Sequence, residues 1–221
     1  MSKIIPKYAR MPLLLMLIFN CAVFWLTRPL TAGSYHYDLS IGADARVPFV
    51  PAFILIYILA YVQWIVGYIV IVRDSEALCY RVISGEMLSK LLCGALFLAL
   101  PTSMVRPVVT GTDLFSRLTR LIYSLDTPDN LFPSIHCVES WLCFRGAVRA
   151  EKVGRAYKLF QLVFTLLVFA SVVLVKQHLL PDIVSGVLAA ELGQLLAPAL
   201  RADALLKRAN RRFLKGKGET V

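Results

Sequence analysis

The stretch FVPAFILIYILAYVQWIVGYIVIV, residues 49–72, contains one side-chain amide and no charged side chain. Roughly 17–25 apolar residues are what an α-helix needs to cross the hydrocarbon of a bilayer. Only a helix or a closed barrel satisfies its own backbone there. Read as a membrane span, this stretch sets the terms for the rest of the chain. Comparable runs at about 11–27, 83–105, 133–149, 157–175 and 179–200 predict five more spans. The run over 133–149 is short for a full crossing, so a tilted or sheltered helix is expected. The expected fold is all-α: a six-span transmembrane helical bundle, one domain, with a basic cytoplasmic tail over 201–221. The first run resembles a signal peptide, but it is long for one and no A-x-A cleavage site follows it.

Composition agrees with a membrane class. The chain is 58% hydrophobic, with mean hydropathy +0.68, against about 45–50% apolar for a soluble domain. The net charge of +10 would raise nucleic acid as a partner in a soluble protein. Here the basic residues fall between spans, where lipid headgroups and topology account for them, so no nucleic acid is expected. Five cysteines without a C-x-x-C pattern argue against disulfides and zinc. Three histidines and few clustered carboxylates leave no metal site and no cofactor.

Charge also predicts orientation. With six spans and a cytoplasmic N-terminus, 17 Lys and Arg fall on inner segments and six on outer ones. The positive-inside rule then puts both termini in the cytoplasm. Arg106, Ser134, His136, Lys176, His178 and Asp182 all land at outer ends of spans.

Two short clusters carry the chemistry. In Asn130-Leu131-Phe132-Pro133-Ser134-Ile135-His136, Pro133 is expected to open a helix, with Ser134 and His136 in its first turn. Unpaired N–H groups there favour anions, phosphate above all. The second cluster, Lys176 to Asp182, places His178 and Asp182 four residues apart, so that the carboxylate can hold one ring nitrogen and aim the other. His36 reads as a plain loop residue. Lys90 lies about 24 Å along a helix from Arg106, too far to join them. Glu139 fits equally a packing partner for a basic group and a site residue. Gly186 and Ala190 form a small-x-x-x-small pair that serves helix packing. Thr110 to Asp113 give turn and cap signals ahead of a short amphipathic helix from Leu114 to Leu125.

Pro133-Ser134-Ile135-His136 and His178-x-x-x-Asp182 resemble the second and third signature motifs of the type 2 phosphatidic acid phosphatase family. Arg106-Pro107 looks like the end of its first motif. The similarity covers about residues 99 to 186. It implies a metal-independent phosphatase or phosphotransferase acting on a lipid phosphate at the outer face of the cell membrane. By the same resemblance, His178 is the nucleophile, Asp182 orients it, and His136 is the general acid. Arg106 and Ser134 then hold phosphate oxygens. Two cations of the family pattern are missing, at Ala99 and Val172. Lys176, Arg117 or Arg120 are candidates to replace them. The thinned motifs and the Val47-Pro48-Phe49-Val50-Pro51 entry resemble the branch of inositol-phosphorylceramide and sphingomyelin synthases, which passes a phospho-headgroup to a lipid alcohol. A non-catalytic lipid-binding or transport protein is the reading from another class, and polar groups near the bilayer midplane would favour it.

Overall fold

A computed structural model of the chain describes residues 4–216. They form eight α-helices: α1 (Lys7–Thr31), α2 (Ile54–Asp74), α3 (Glu76–Ala99), α4 (Leu114–Leu125), α5 (Ile135–Arg149), α6 (Arg155–Leu174), α7 (Leu180–Ala199) and α8 (Ala202–Gly216). Two short 3-10 turns, Asp44–Arg46 and Pro51–Phe53, lie in the first loop. We call the end of the bundle where α2, α5 and α7 begin the upper end.

Five helices are long and apolar enough to cross a membrane: α1, α2 with its 3-10 lead-in, α3, α6 and α7. The stretch expected as a sixth span is not among them. α5 has 15 residues and is about 22 Å long at 1.5 Å per residue. It starts at Ile135, because Ser134 caps it: the Ser134 hydroxyl accepts from Cys137 N at 3.4 Å. Pro133 therefore lies outside the helix, and Ser134 is the cap and not part of the first turn. α3 also ends earlier than expected, at Ala99. The chain beyond it bonds to the first loop, with Tyr37 N donating to Pro101 O at 2.8 Å and Ser103 N to Tyr37 O at 3.0 Å. Arg106 consequently stands in a loop beyond the helix and not at a helix end. The amphipathic helix has the expected bounds. Asp113 caps it, accepting from Phe115 N and Ser116 N at 3.0 and 3.1 Å. The basic tail is helical through Gly216, and residues 217–221 lie outside the described residues.

Two prolines inside helices explain two long-range side-chain bonds. A proline in a helix removes the bond to the carbonyl four residues earlier. Pro12 does this to Tyr8 O, and the buried Asn210 of α8 donates to that carbonyl at 2.7 Å. Pro198 does it to Gln194 O, and Arg81 of α3 donates there at 2.9 Å. A carbonyl left open in an apolar bundle costs on the order of 1–3 kcal/mol, so these bonds fasten α8 to α1 and α7 to α3 at the lower end.

Small residues set the closest helix crossings. A Cβ on Gly193 would lie 2.1 Å from Ser89 Oγ and 2.4 Å from Gly85 O, which lets α7 lie against α3. A Cβ on Gly186 would meet Ser134 O at 2.8 Å and Cys137 Cβ at 2.9 Å. That contact brings the start of α7 against the start of α5, and Ala190 below it is fully buried among Val138 and Leu142. The Gly186/Ala190 pair is thus a packing device. Near the lower end Tyr8 Oη donates to Val72 O at 2.8 Å. Above that contact a cavity of about 790 Å³ separates α1 from α2.

Candidate active site at the upper end

α7 opens with Leu179 as its cap residue, and Asp182 lies in its first turn. One Asp182 oxygen accepts from Leu179 N at 2.8 Å and faces His178 Nδ1 at 3.2 Å. The other Asp182 oxygen is buried without a partner among the described residues. His178 itself sits just before the helix. Its N–H and that of Gln177 both donate to Val172 O, at 3.0 and 2.9 Å. The preceding residue, Lys176, adopts the left-handed region at φ 51°, a conformation that costs a non-glycine residue about 1 kcal/mol or more. After this turn the Lys176 ammonium reaches the first loop, the Gln177 amide reaches Arg106 and the His178 ring reaches Asp182.

α5 delivers His136 in its first turn. The ring stacks on Tyr57 at 4.1 Å between centroids and meets the rings of Trp64 at 5.0 Å and Tyr61 at 5.6 Å. All three aromatics belong to α2. Trp64 is held by its own bond to Ser140 Oγ at 2.9 Å. The His136 Nε2 atom is buried with no partner among the described residues. The rings of His136 and His178 stand 6.2 Å apart. A backbone bond joins their helices, Ser134 N to Asp182 O at 3.1 Å. Thr102 anchors the loop before His136, its Oγ1 accepting from Leu131 N and Phe132 N at 2.9 and 3.0 Å.

Arg106 joins this pair through Gln177, whose side-chain carbonyl accepts from the guanidinium. Arg106 also donates to Asp126 O at 2.5 Å and lies over the Tyr123 ring at 4.6 Å. Its Nε is left without a partner among the described residues. Burial pulls the Arg106 pKa down from its ordinary value, and the nearby Asp126 carboxylate works against that. Burial likewise pushes the Tyr123 phenol up to about 12, with Arg106 opposing. At neutral pH, therefore, Tyr123 is a neutral wall under a cation.

Two expected phosphate ligands are placed differently. The Ser134 side chain is fully buried as a helix cap and lines neither cavity of the site. The Lys176 ammonium lies on backbone carbonyls of the first loop, Val47 O at 2.6 Å and Asp44 O at 3.3 Å. Of the two positions at which the resemblance lacks a cation, Val172 is a buried core residue and Ala99 is exposed outside both cavities. Arg117 and Arg120 bond to Thr112 O, Val109 O and Gly111 O within their own segment.

Three features lacked a local signal. Arg28 pairs with Asp126 and, at 2.9 Å, with Asp129. Asp44 accepts from Leu180 N at 2.8 Å, so a carboxylate of the first loop already occupies the start of α7. The aromatic surround of His136 comes from a helix some seventy residues earlier in the chain. Only the spacing of Tyr57, Tyr61 and Trp64, three to four residues apart on one face of that span, hinted at it.

His178 lines two cavities. The smaller, about 480 Å³, lies under the first loop with Arg106 and Lys176 in its wall. The larger is the gap between α1 and α2, and His136, His178 and Gln177 line it as well. No group of three or more His, Cys, Asp or Glu side chains that could hold a metal ion occurs among the described residues. Comparison with family models, curated proteins and solved structures finds no match to this chain.

Proposed function

We propose that this protein is an integral membrane enzyme that cleaves a phosphate ester of a lipid through a phosphohistidine. The observation that carries the reading is the pairing of His178 with Asp182 opposite a partnerless His136 nitrogen at a lipid-sized cavity, with Arg106 in the wall of the smaller cavity that also reaches His178. The His178 nitrogen remote from Asp182 attacks phosphorus, and Asp182 holds the ring and stabilises the charge it gains. The bond from phosphorus to the lipid oxygen breaks, and that oxygen takes a proton from His136. Water, deprotonated in turn by His136, then splits the phosphorus–nitrogen bond. Ring centroids 6.2 Å apart leave each nitrogen room to stand about 3 Å from the atom it serves. Arg106 offsets charge that builds on the phosphoryl oxygens. Ser134 and Lys176 contribute by holding α5 and the first loop in place.

In this reading α5 completes six spans, and both termini are cytoplasmic. The site then faces outward, in keeping with the 17-to-6 asymmetry of basic residues. Transfer of the phospho-headgroup to a lipid alcohol in place of water is the second reading. The two cavities that meet at His178 favour it, since they admit two different reactants.

The test is purified protein with a panel of lipid phosphates, with released phosphate and transferred headgroup scored separately. His178→Ala is expected to lower turnover by about a thousandfold or more, as for other covalent nucleophiles, while a phosphorylated intermediate of the parent maps to His178. Near-normal turnover in folded His178→Ala would rule the mechanism out. A tag placed between Gly33 and Asp44 is expected to react with an impermeant label from outside, and protection of that tag would reverse the orientation.

A further inference from the structure

The larger cavity is apolar along most of its length, lined by residues such as Leu13, Leu17, Trp25 and Ile65. Part-way along α1 it turns polar, at Asn20 with Glu139 and Tyr68 beside it. Asn20 donates its amide N–H groups to two carboxylates, Glu139 Oε1 at 2.8 Å and Glu86 Oε1 at 3.2 Å. Glu139 is nearly inaccessible and holds Lys90 Nζ at 2.6 Å and Tyr68 Oη at 2.5 Å. This network decides which way the Asn20 amide faces. With its nitrogen directed at two carboxylates, its carbonyl must point away from them. That carbonyl has no protein donor among the described residues, and Asn20 lines the cavity. A carbonyl that faces an apolar groove without a protein donor is an acceptor open to a ligand that enters the groove.

The depth of this acceptor matches the site above it. Glu139 follows His136 by three residues on α5, or about 4.5 Å along the axis. Asn20 is in hydrogen-bond contact with Glu139. A phosphorus atom held between the two histidines therefore has an acceptor about one helix turn below it. In a lipid phosphate, a polar atom on the carbon next to the ester-bearing one lies four bonds from phosphorus, about 5 Å at roughly 1.5 Å per bond.

We propose that the Asn20 carbonyl is a specificity-determining subsite of the groove. It accepts a hydrogen bond from a hydroxyl or amide N–H on the carbon beside the phosphate ester. The preferred substrates are then lipid phosphates with a free donor at that carbon, over those in which it is esterified or alkylated. The inference rests on the lipid-phosphate reading above and narrows its substrate class.

The test compares two ligands on the full chain in detergent: a monoacylglycerol phosphate whose remaining hydroxyl is free, beside the phosphate-bearing carbon, and the methyl ether of that hydroxyl. Both phosphate release and the ligand-induced shift in unfolding temperature are measured. The free-hydroxyl lipid is expected to be favoured about fivefold, the order of one hydrogen bond. Asn20→Leu is expected to bring it down to the level of the ether. Equal turnover and equal binding of the two lipids by the parent protein overturn the subsite and leave the hydrolase reading standing. Tighter binding of the free-hydroxyl lipid without phosphate release has the opposite outcome, since the subsite stands and the hydrolase reading falls. Failure of both lipids to bind overturns both. Should Asn20→Leu not fold, the ligand pair on the parent protein still decides.

Discussion

The protein contains two polar regions inside or at the end of an apolar bundle, and they are built in opposite ways. Around Glu139 three donors from three helices close on one carboxylate: Lys90, Asn20 and Tyr68. At the upper end, atoms are left open. His136 Nε2, the second Asp182 oxygen and Arg106 Nε are all buried or nearly so, and none has a partner among the described residues. In an apolar medium a polar atom without a partner is destabilising. The closed region reads as a tether between helices. Under the proposed function, a ligand relieves that cost in the open region. The contrast also bears on the transporter reading. A charged pair, Lys90 with Glu139, does lie deep in the bundle and is joined within the fold, while one oxygen of the buried Glu86 beside it has no partner among the described residues.

Breaking the closed region is expected to have the largest effect on stability. Lys90→Met leaves Glu139 as a buried carboxylate short of its cation and is expected to cost about 3–5 kcal/mol, read as a lower unfolding temperature in detergent. Adding Glu139→Gln in the same chain is expected to recover most of that loss. If the double variant is as unstable as the single one, the pair is not the tether described.

In the open region, Arg106→Ala is expected to spare the fold and to lower turnover by about a hundred- to a thousandfold, as for loss of an oxyanion donor. The loss should be larger for a dianionic monoester than for a monoanionic diester, because the missing charge faces two negative charges in the first case. Equal losses for both ester classes would place Arg106 outside phosphate binding.

Lys176→Ala is expected to have the smallest effect of the three. Its ammonium bonds to Val47 O and Asp44 O, so its removal loosens the first loop by about 1 kcal/mol or less and lowers turnover less than Arg106→Ala does. From sequence alone this lysine is a phosphate ligand, and its loss should then be severe. A drop comparable to that of Arg106→Ala would favour that role and imply that the ammonium swings into the smaller cavity.

What the sequence by itself determined rests on local physics. An uncharged apolar run long enough to cross a bilayer has few ways to satisfy its backbone, so the helices over 54–74, 155–174 and 180–199 were legible, while the one expected over 83–105 lies over 76–99, because charged Glu76 and Arg81 fall inside it and not in a turn. Leu114 to Leu125 was legible because Asp113 caps it and its apolar residues repeat with the helix. His178 and Asp182 were legible as a pair because four residues of a turning chain bring them together. Only the tertiary structure decided the rest, because those contacts join residues far apart in the chain. The aromatic surround of His136 is contributed by α2, and Glu139 is shown as the partner of Lys90 only when α3 packs beside α5. The same packing turns Lys176 toward the first loop and gives the carbonyls freed by Pro12 and Pro198 their donors, Asn210 and Arg81. An apolar or charged side chain carries no mark of its partner. The pairing is set by which helix faces meet, and at Gly186 and Gly193 that is decided by how closely two backbones can approach.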